Sequence, residues 1–367
     1  MGTAIKRVFV SLSIALLLMA MMTTSPSQAQ TSRNAMIGQM LMMGFPGSNP
    51  DGSWPKRLAA QISRGQVGGV VMLGYNFKSK AGVKRLTSLF RNAAGRRKLF
   101  IALDMEGGAV QRLGRKLGYP SIPSARRIAR TQSPQQAQKT YSRLAAISRN
   151  AGFNMNLGPV VDLLINPSNP VIGRWNRSYG TDPTKVAAYA SAFVKAHRAR
   201  GIVTVLKHFP GHGSSLSDSH DGFVDISNTW RNKELEPFVK MIARGDAVAI
   251  MPGHLIHRQI AGSVPVSISR KAIRGLLRNK LKFRGLVLSD DLQMGAIAKN
   301  FSYRSAVIRA VNAGVDMLMI SNSRKPDKNL PAKTIAIISN AIDKGQISEA
   351  TVRAAYQRIQ RAKAIAF

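Results

Sequence analysis

The amino-acid sequence predicts an α/β protein built as a single TIM-like (β/α)8 barrel. Eight short runs of residues are apolar throughout, which is typical of strands buried on both faces. Helical patterns separate the runs, and no linker rich in Pro, Gly or Ser marks a second domain. The runs occupy residues 38–45, 68–74, 98–104, 153–159, 202–209, 247–254, 285–291 and 315–321. The first run has the weakest strand pattern, so an irregular first strand is the alternative to a regular one.

Helix-start signals support this alternation. Ser133 precedes Pro134, and Asp182 precedes Pro183, so each pair supplies a capping side chain and a first-turn proline. Gly201 follows the second of these helical segments and is typical of a helix end. Further helices are predicted near residues 83–96, 232–244, 269–280, 303–313, 331–344 and 348–365.

The first 29 residues differ from the rest of the chain. Lys6 and Arg7 precede an apolar run of about 15 residues, and Ser27-Gln28-Ala29 ends the segment. This order predicts a signal peptide over residues 1–29, followed by one barrel domain over residues 30–367. The alternative is a retained membrane anchor, but a membrane span needs about 20 residues. We therefore expect an exported protein, periplasmic or secreted.

The chain carries 54 Lys and Arg against 17 Asp and Glu, a net charge of +37. Removal of residues 1–29, which hold two of these cations and no acid, leaves +35. Such a charge favours an anionic cell-wall polymer or membrane surface as partner. Nucleic acid is not expected in an exported protein, and the scattered cations also fit a merely solvated surface. There is no Cys to form a disulfide, and the oligomeric state is left open.

Polar residues stand where several apolar runs end, and in parallel barrels this end carries the active site. They are Asp104, Lys207, His208, His254, Asp290 and Asp291. Asp290 follows a short apolar run, which suits a nucleophile or a stabiliser of positive charge in a transition state. The alternative is a helix cap or loop brace, a role that Asp291 can take instead.

The segment KHFPGHGSSLSDSHDG, residues 207–222, supplies a candidate proton donor. Asp218 lies two residues before His220, so its carboxylate can orient the imidazole, which then gives and takes a proton. Gly and Ser residues predict a mobile loop that closes over substrate. The alternative is a solvated loop with an incidental His. A zinc site built from His208, His212, Asp218 and His220 matches no standard spacing, so no metal is predicted.

Four further side chains are candidates for binding hydroxyl groups. A Lys at a buried strand end needs a partner, which a sugar or a carboxylate supplies, and this applies to Lys207 with its neighbour His208. Asp104 can accept from two adjacent hydroxyls, and Arg177 offers a planar fork of donors. The alternative for Asp104 and Arg177 is a salt-bridge network lining the barrel mouth.

These segments together resemble glycoside hydrolase family 3, in its β-N-acetylglucosaminidase (β-hexosaminidase) branch. The matching stretches are LDMEGGAVQRL, NMNLGPVVDL, NPVIGRWNRSYGTDP, KHFPGHGSSLSDSH, MPGHL and LSDDLQMGA, in the order of the family. KHFPGHG followed by Asp-Ser-His is the specific part. It separates this branch from family 3 β-glucosidases, whose acid/base carboxylate lies in a second domain.

The resemblance implies a retaining exo-acting hydrolase of β-linked N-acetylglucosamine. Asp290 is implied as nucleophile and His220 as acid/base, with Asp218 as its partner. The implied ligands of the terminal sugar are Asp104, Arg177, Lys207, His208 and His254. No metal or organic cofactor is implied.

Other functions stay open. An imidazole base does not repel an anionic nucleophile, so phosphate in place of water would give a glycoside phosphorylase. A β-glucosidase or another β-glycosidase is a further alternative, because the acetamido pocket is not fixed by the motifs. A sugar-binding barrel without catalysis is the alternative outside enzymes. Export favours cell-wall polymer or peptidoglycan-derived fragments as substrate.

Overall fold

The computed structural model describes residues 26–218 and 222–367. Eight parallel strands form one sheet in which neighbours in space are also neighbours along the chain. The strands are β1 (Leu41–Met43), β2 (Gly69–Val71), β3 (Phe100–Leu103), β4 (Met155–Asn156), β5 (Val203–Phe209), β6 (Ala249–Pro252), β7 (Leu286–Val287) and β8 (Leu318–Ile320). Each predicted apolar run contains one of these strands. The predicted signal peptide lies almost wholly outside the described residues, and its export role stays a prediction.

The sheet closes into a barrel. β1 pairs in parallel with both β2 and β8, so it is short but regular, and the irregular alternative is not what the structure shows. A parallel bridge between Leu288 and Met317 joins the end of β7 to β8. The predicted (β/α)8 architecture is confirmed.

Helices cover the outside of the barrel, and among the described residues none is long and apolar enough to cross a membrane. The α-helices are Pro26–Gln39, Ser53–Ser63, Lys80–Ala94, Ala125–Thr131, Pro134–Asn150, Pro183–Arg198, Glu236–Ala243, Arg258–Ala261, Gly295–Ala298, Tyr303–Ala313, Leu330–Asp343 and Glu349–Ala366. A π-helix spans Lys271–Lys280, and 3₁₀ turns span Gly74–Asn76, Arg115–Leu117, Asn232–Leu235 and Val266–Ile268. Ser133 forms the predicted cap, since its hydroxyl accepts from the backbone amide of Gln136. The Gln136 side-chain oxygen in turn accepts from the backbone amide of Ser133.

Apolar side chains spaced by one helical turn attach the helices to the barrel. Helix Lys80–Ala94 buries Val83, Leu86 and Phe90, and the Phe90 ring meets Phe45 edge to face at 5.1 Å. Burial of such a side chain contributes about 1.5–3 kcal/mol. This packing fixes the strand ends that carry the polar residues.

A buried lysine fastens the last helix beneath the first three strands. The ammonium of Lys363 is fully buried and donates to the Gln39 side chain at 2.7 Å, to the Gly68 carbonyl at 2.9 Å and to the Lys98 carbonyl. These three partners precede β1, β2 and β3 along the chain. Burial lowers the pKa of Lys363 to about 7.

Candidate active site

A cavity of about 400 Å³ opens at the carboxyl ends of the barrel strands. Six of the eight site residues predicted from sequence line it, namely Asp104, Arg177, Lys207, His208, Asp218 and Asp290. Arg112 and Asp291 also contribute charged groups to its wall. The structure therefore brings most of the predicted residues to one place.

Asp290 follows β7 and is half-buried at the cavity wall. Its Oδ1 accepts a hydrogen bond from the backbone amide of Asp291 at 2.8 Å. The Oδ1 atom of Asp291 accepts from the amide of Ser321, just after β8, at 2.9 Å and from the amide of Gln293 in its own loop at 3.1 Å. Burial raises the pKa of Asp291. Asp291 thus braces the loop against the end of β8, and both Asp290 and Asp291 line the cavity.

His254 requires a correction. The sequence implied a sugar contact, but the side chain is fully buried and is not part of the cavity wall. Its Nδ1 lies 2.6 Å from the Ser267 hydroxyl and its Nε2 lies 2.8 Å from the Asp291 carbonyl oxygen. Both ring nitrogens therefore have protein partners, and His254 supports the loop that carries Asp290.

Two cations and two carboxylates form a network on the cavity floor. The Lys207 ammonium lies 2.8 Å from Asp104 Oδ1 and 2.9 Å from Glu106 Oε1. Arg177 donates to both oxygens of Glu106, from Nε and Nη2, at 2.8 Å each. The alternative of a salt-bridge network at the mouth is thus what the structure shows, and the network also lines the cavity. Glu106 was not predicted, although it lies in the motif that contains Asp104.

The network keeps its members charged. Burial by itself would raise the pKa of Glu106, but Arg177 and Lys207 hold it well below the usual range. Burial opposes ionisation of Asp104 as well, and Lys207 and Arg112 lower its pKa. For Lys207, burial would lower the pKa, and Asp104 and Glu106 raise it. Fixed, opposite charges on a shielded surface are suited to binding hydroxyl groups in one orientation.

A second carboxylate missed by the sequence reasoning, Asp162, anchors the loop after β5. It is fully buried and accepts from the ring Nδ1 of His208 at 2.8 Å and from the backbone amides of His208 at 3.1 Å and His212 at 2.8 Å. Burial would raise the pKa of Asp162, but its His208 and His212 contacts lower it. His208 is therefore held by a carboxylate on one side while it faces the cavity.

In the loop predicted to be mobile, residues 211–215 pack against the protein. They are buried, and the Ser214 amide donates to Glu234 at 3.2 Å. Gly213 packs so closely that an added Cβ would lie 1.8 Å from the Leu163 carbonyl oxygen. Exposure begins at Leu216 and Ser217.

Asp218 reaches the same cavity as Asp290. Its predicted partner His220 lies outside the described residues, as do Ser219 and Asp221. The carboxylate of the predicted acid/base pair is therefore located, and the position of the imidazole stays a prediction.

Trp175 provides an aromatic wall that the sequence reasoning did not single out. It lines the cavity beside Pro170 and Val171, and its side chain is 51% exposed. Asn169 shapes this loop by accepting from the Val171 and Ile172 amides at 2.8 and 2.7 Å and donating to the His212 carbonyl at 2.7 Å. An exposed aromatic face beside charged donors is suited to a sugar ring. The sequence feature that could have indicated this aromatic wall is a Trp within a loop that contains several Asn and Gly residues.

Metal ligation has no visible basis in the described part of the chain. No group of three or more His, Asp or Glu side chains stands close enough there to hold an ion. His208 and His212 lie edge to face with centroids 5.5 Å apart. Their Nδ1 atoms bind Asp162 and Ser215, respectively.

Comparison with known proteins shows close sequence relatives. The Glycosyl hydrolase family 3 N terminal domain matches residues 34–362. Beta-hexosaminidase A of Pseudoalteromonas piscicida is 30% identical over 92% of this chain and 62% of its own length. Beta-hexosaminidase of Stenotrophomonas maltophilia (strain K279a) is 36% identical over 80% of this chain and 86% of its own length.

Solved structures give the same picture. A glycoside hydrolase family 3 beta-N-acetylglucosaminidase from Paenibacillus sp. str. FPU-7 superposes with a TM-score of 0.81 at 29% identity, over 90% of this chain and 62% of that one. Beta-N-acetylhexosaminidase from Beutenbergia cavernae DSM 12333 superposes with a TM-score of 0.79 at 29% identity, over 90% of this chain and 98% of that one. The chain thus spans less than two thirds of the Pseudoalteromonas and Paenibacillus proteins, but nearly all of the Beutenbergia protein.

The closed barrel and its carboxylate-lined mouth define a (β/α)8 protein of the glycoside hydrolase type. The chain belongs to glycosyl hydrolase family 3, and its matched part is the N-terminal domain of that family. The resemblance drawn from the motifs is confirmed.

Proposed function

We propose that this protein is an exported, retaining exo-β-N-acetylglucosaminidase that releases terminal β-linked GlcNAc from peptidoglycan-derived or related glycans. The observation that carries the proposal is the single cavity shared by Asp290 and Asp218, with Asp104, Lys207 and Arg177 on its floor. The names of the sequence and structural relatives support the activity and the sugar. The signal-like segment and the basic surface support export and a wall substrate.

Asp290 acts as the nucleophile in the proposed reaction. Its carboxylate attacks the anomeric carbon, the bond to the leaving oxygen breaks, and a covalent glycosyl-enzyme forms. His220, oriented by Asp218, gives its proton to that leaving oxygen. His220 then takes a proton from water, the hydroxide oxygen bonds to the anomeric carbon, and the Asp290 carboxylate is released. Two displacements at one carbon retain the anomeric configuration.

The cavity floor binds the terminal sugar in this proposal. Asp104 accepts from sugar hydroxyls, while Lys207, His208 and Arg177 hold the carboxylates and supply donors. Trp175 offers its exposed face to the sugar ring or to the leaving group. A rigid floor opposite a fixed carboxylate places the anomeric carbon for in-line attack.

The test is hydrolysis of chromogenic β-GlcNAc and β-glucose substrates by the protein lacking residues 1–29, with and without phosphate. We expect release from the first substrate without phosphate. Asp290→Asn removes the nucleophile and should lower kcat by roughly three to six orders of magnitude. Asp51→Asn, which changes a carboxylate that is 60% exposed on the surface, should leave the rate unchanged.

The acid role is tested with leaving groups of different basicity. His220→Ala should retain more activity on a nitrophenyl glycoside than on a GlcNAc disaccharide, because a good leaving group needs little proton donation. Wild-type rates in Asp290→Asn would contradict the proposal. Faster turnover of the glucoside would identify the β-glucosidase alternative, and a strict need for phosphate would identify the phosphorylase.

A further inference from the structure

A second cleft, of about 790 Å³, opens at the other end of the barrel. The π-helix Lys271–Lys280, the turns that enter β7 and β8, and the start of helix Glu349–Ala366 form it. Arg284 precedes β7 and Gly314 precedes β8, whereas Asp290 follows β7. The cleft is therefore separate from the candidate active site and lies at the amino ends of the strands.

Cations dominate the walls of this cleft. The charged lining residues are Arg270, Lys271, Arg274, Arg278, Arg284, Arg358 and Asp316, six cations against one carboxylate. Arg270 directly precedes the π-helix, and Arg274 and Arg278 follow at intervals of four residues, so three cations lie along one segment of the chain. This excess of positive charge favours the binding of an anion.

The one lining carboxylate is already occupied. Asp316 is buried and binds Arg278 at 2.6 Å through Oδ2 and Arg358 at 2.9 Å through Oδ1. Arg278 also donates to the Gly285 carbonyl at 2.6 Å, so this floor is fixed. Within residues 26–218 and 222–367, no carboxylate forms an ion pair with Arg270, Lys271, Arg274 or Arg284.

Arg274 is the most constrained of these unpaired cations. It is half-buried and donates from Nη2 to the Thr351 hydroxyl at 3.0 Å, while its Nε is buried without a partner in the described structure. Burial lowers the pKa of Arg274, and the nearby cations Arg270 and Arg358 lower it further. A buried donor without an acceptor is costly, so the site is built for a group that supplies acceptors.

We propose that this cleft binds a phosphate mono- or diester through Arg270 and Arg274. Guanidinium forks match the oxygens of a phosphate group, and adjacent helix amides add positive potential. Ser348 and Ala350 at the amino end of helix Glu349–Ala366 line the cleft, although Glu349 in the first turn offsets part of the positive potential of that helix end. The volume of the cleft leaves room for an ester group beside the phosphate. A soluble phosphate ester and a phospholipid head group share this chemistry.

Binding of glycerol phosphate at low salt, followed by isothermal titration calorimetry, tests the proposal. Arg270→Ala/Arg274→Ala should weaken binding about tenfold or more, because it removes two charge-assisted contacts. The matched control is Lys139→Ala/Arg143→Ala, which removes two exposed cations at the same spacing on helix Pro134–Asn150. The control and Asp290→Asn should bind as the wild type does. Arg270→Gln/Arg274→Gln should show the same loss of affinity, and this variant replaces the alanine variant if the latter fails to fold.

Vesicles distinguish the two sources of phosphate. Co-sedimentation with phosphatidylglycerol vesicles but not phosphatidylcholine vesicles, lost in the Arg270/Arg274 variants alone, would support the site with a lipid ligand. Binding of glycerol phosphate without vesicle binding would support it with a soluble ligand. The proposal would be overturned if the control variant bound the probes as weakly as the Arg270/Arg274 variants. It would also be overturned if only Asp290→Asn lost binding, or if the wild type bound neither probe. None of these measurements uses a glycoside, so their outcome is independent of the proposed hydrolysis.

Discussion

The ring Nε2 of His254 lies 2.8 Å from the backbone carbonyl oxygen of Asp291. Because a carbonyl only accepts, Nε2 carries the proton and donates it. The amide of Asp291 in turn donates to the carboxylate of Asp290. A buried imidazole therefore aims the proposed nucleophile through one intervening residue.

Loss of this support should lower catalysis more than binding. We expect His254→Ala to reduce kcat roughly 10- to 100-fold with little change in KM, since small misplacement of a reacting group is costly. His254→Gln keeps an N–H donor and should recover part of the rate. Steady-state kinetics on chromogenic β-GlcNAc checks both variants. A raised KM with unchanged kcat would instead indicate that His254 contacts the sugar, as the sequence implied.

The floor network should be sensitive to removal of its central cation. Lys207→Met leaves Asp104 and Glu106 buried without their shared partner, and breaking a buried pair costs about 3–5 kcal/mol. Urea unfolding should show a loss of this size. Lys333→Met breaks an exposed pair with Asp327 and should cost no more than about 1 kcal/mol. Similar losses in both variants would argue against a buried network.

The anchoring of the loop after β5 is tested at a glycine. Gly213→Ala places a Cβ 1.8 Å from the Leu163 carbonyl oxygen, so the backbone must move. We expect a loss of about 1–3 kcal/mol and lower activity, because overpacking displaces the segment that leads to Asp218. Gly222→Ala, where a Cβ meets nothing within 4 Å, is the matched change in the same loop and should be near neutral. Thermal melting and the chromogenic assay measure the two effects.

Stability should fall in mild acid because two buried imidazoles resist protonation. Burial lowers the pKa of His197 to about 4 and, together with His208, that of His212 to about 4, from an ordinary 6.5. Between these values the unfolded chain binds more protons, so the free energy of unfolding decreases as pH falls from 6.5 to 4. Each group contributes on the order of 3 kcal/mol to this loss.

Urea titrations at pH 7 and pH 4.5 would measure the loss. His197→Gln removes one of the two imidazoles. The difference in the free energy of unfolding between pH 7 and pH 4.5 should then shrink by about half of the part that the two imidazoles contribute together. Equal stability of the wild type at both pH values would contradict buried neutral imidazoles.

The barrel and much of its mouth followed from local sequence patterns. Strands buried on both faces require unbroken apolar runs, and each such run here contains a strand. Asp104, Lys207 and Asp290 were recognisable because a charged residue directly after such a run must lie at the barrel mouth. Helix Ser53–Ser63 escaped prediction, since Gly52 precedes it and gives no side-chain cap.

The supporting residues could not be read from sequence. Glu106 and Asp162 look like ordinary acidic residues in loops until the fold brings them to Arg177 and His208. His254 stands at a strand end, as Asp104, Lys207 and Asp290 do. Its ring is nevertheless buried in the protein and does not line the cavity, and no local sequence pattern predicts that orientation. Such pairings depend on contacts between distant segments, so the residues that line the cavity were easier to predict than the residues that hold them in place.

Lys363 has a consequence for biosynthesis. Its ammonium ties together segments that enter β1, β2 and β3, which leave the ribosome more than 250 residues earlier. These strands cannot acquire that clasp until residue 363 has been translated. Attachment of the last helix to these strands is therefore expected to be a late event, and a chain truncated before this lysine should lack the clasp and be cleaved more readily by proteases.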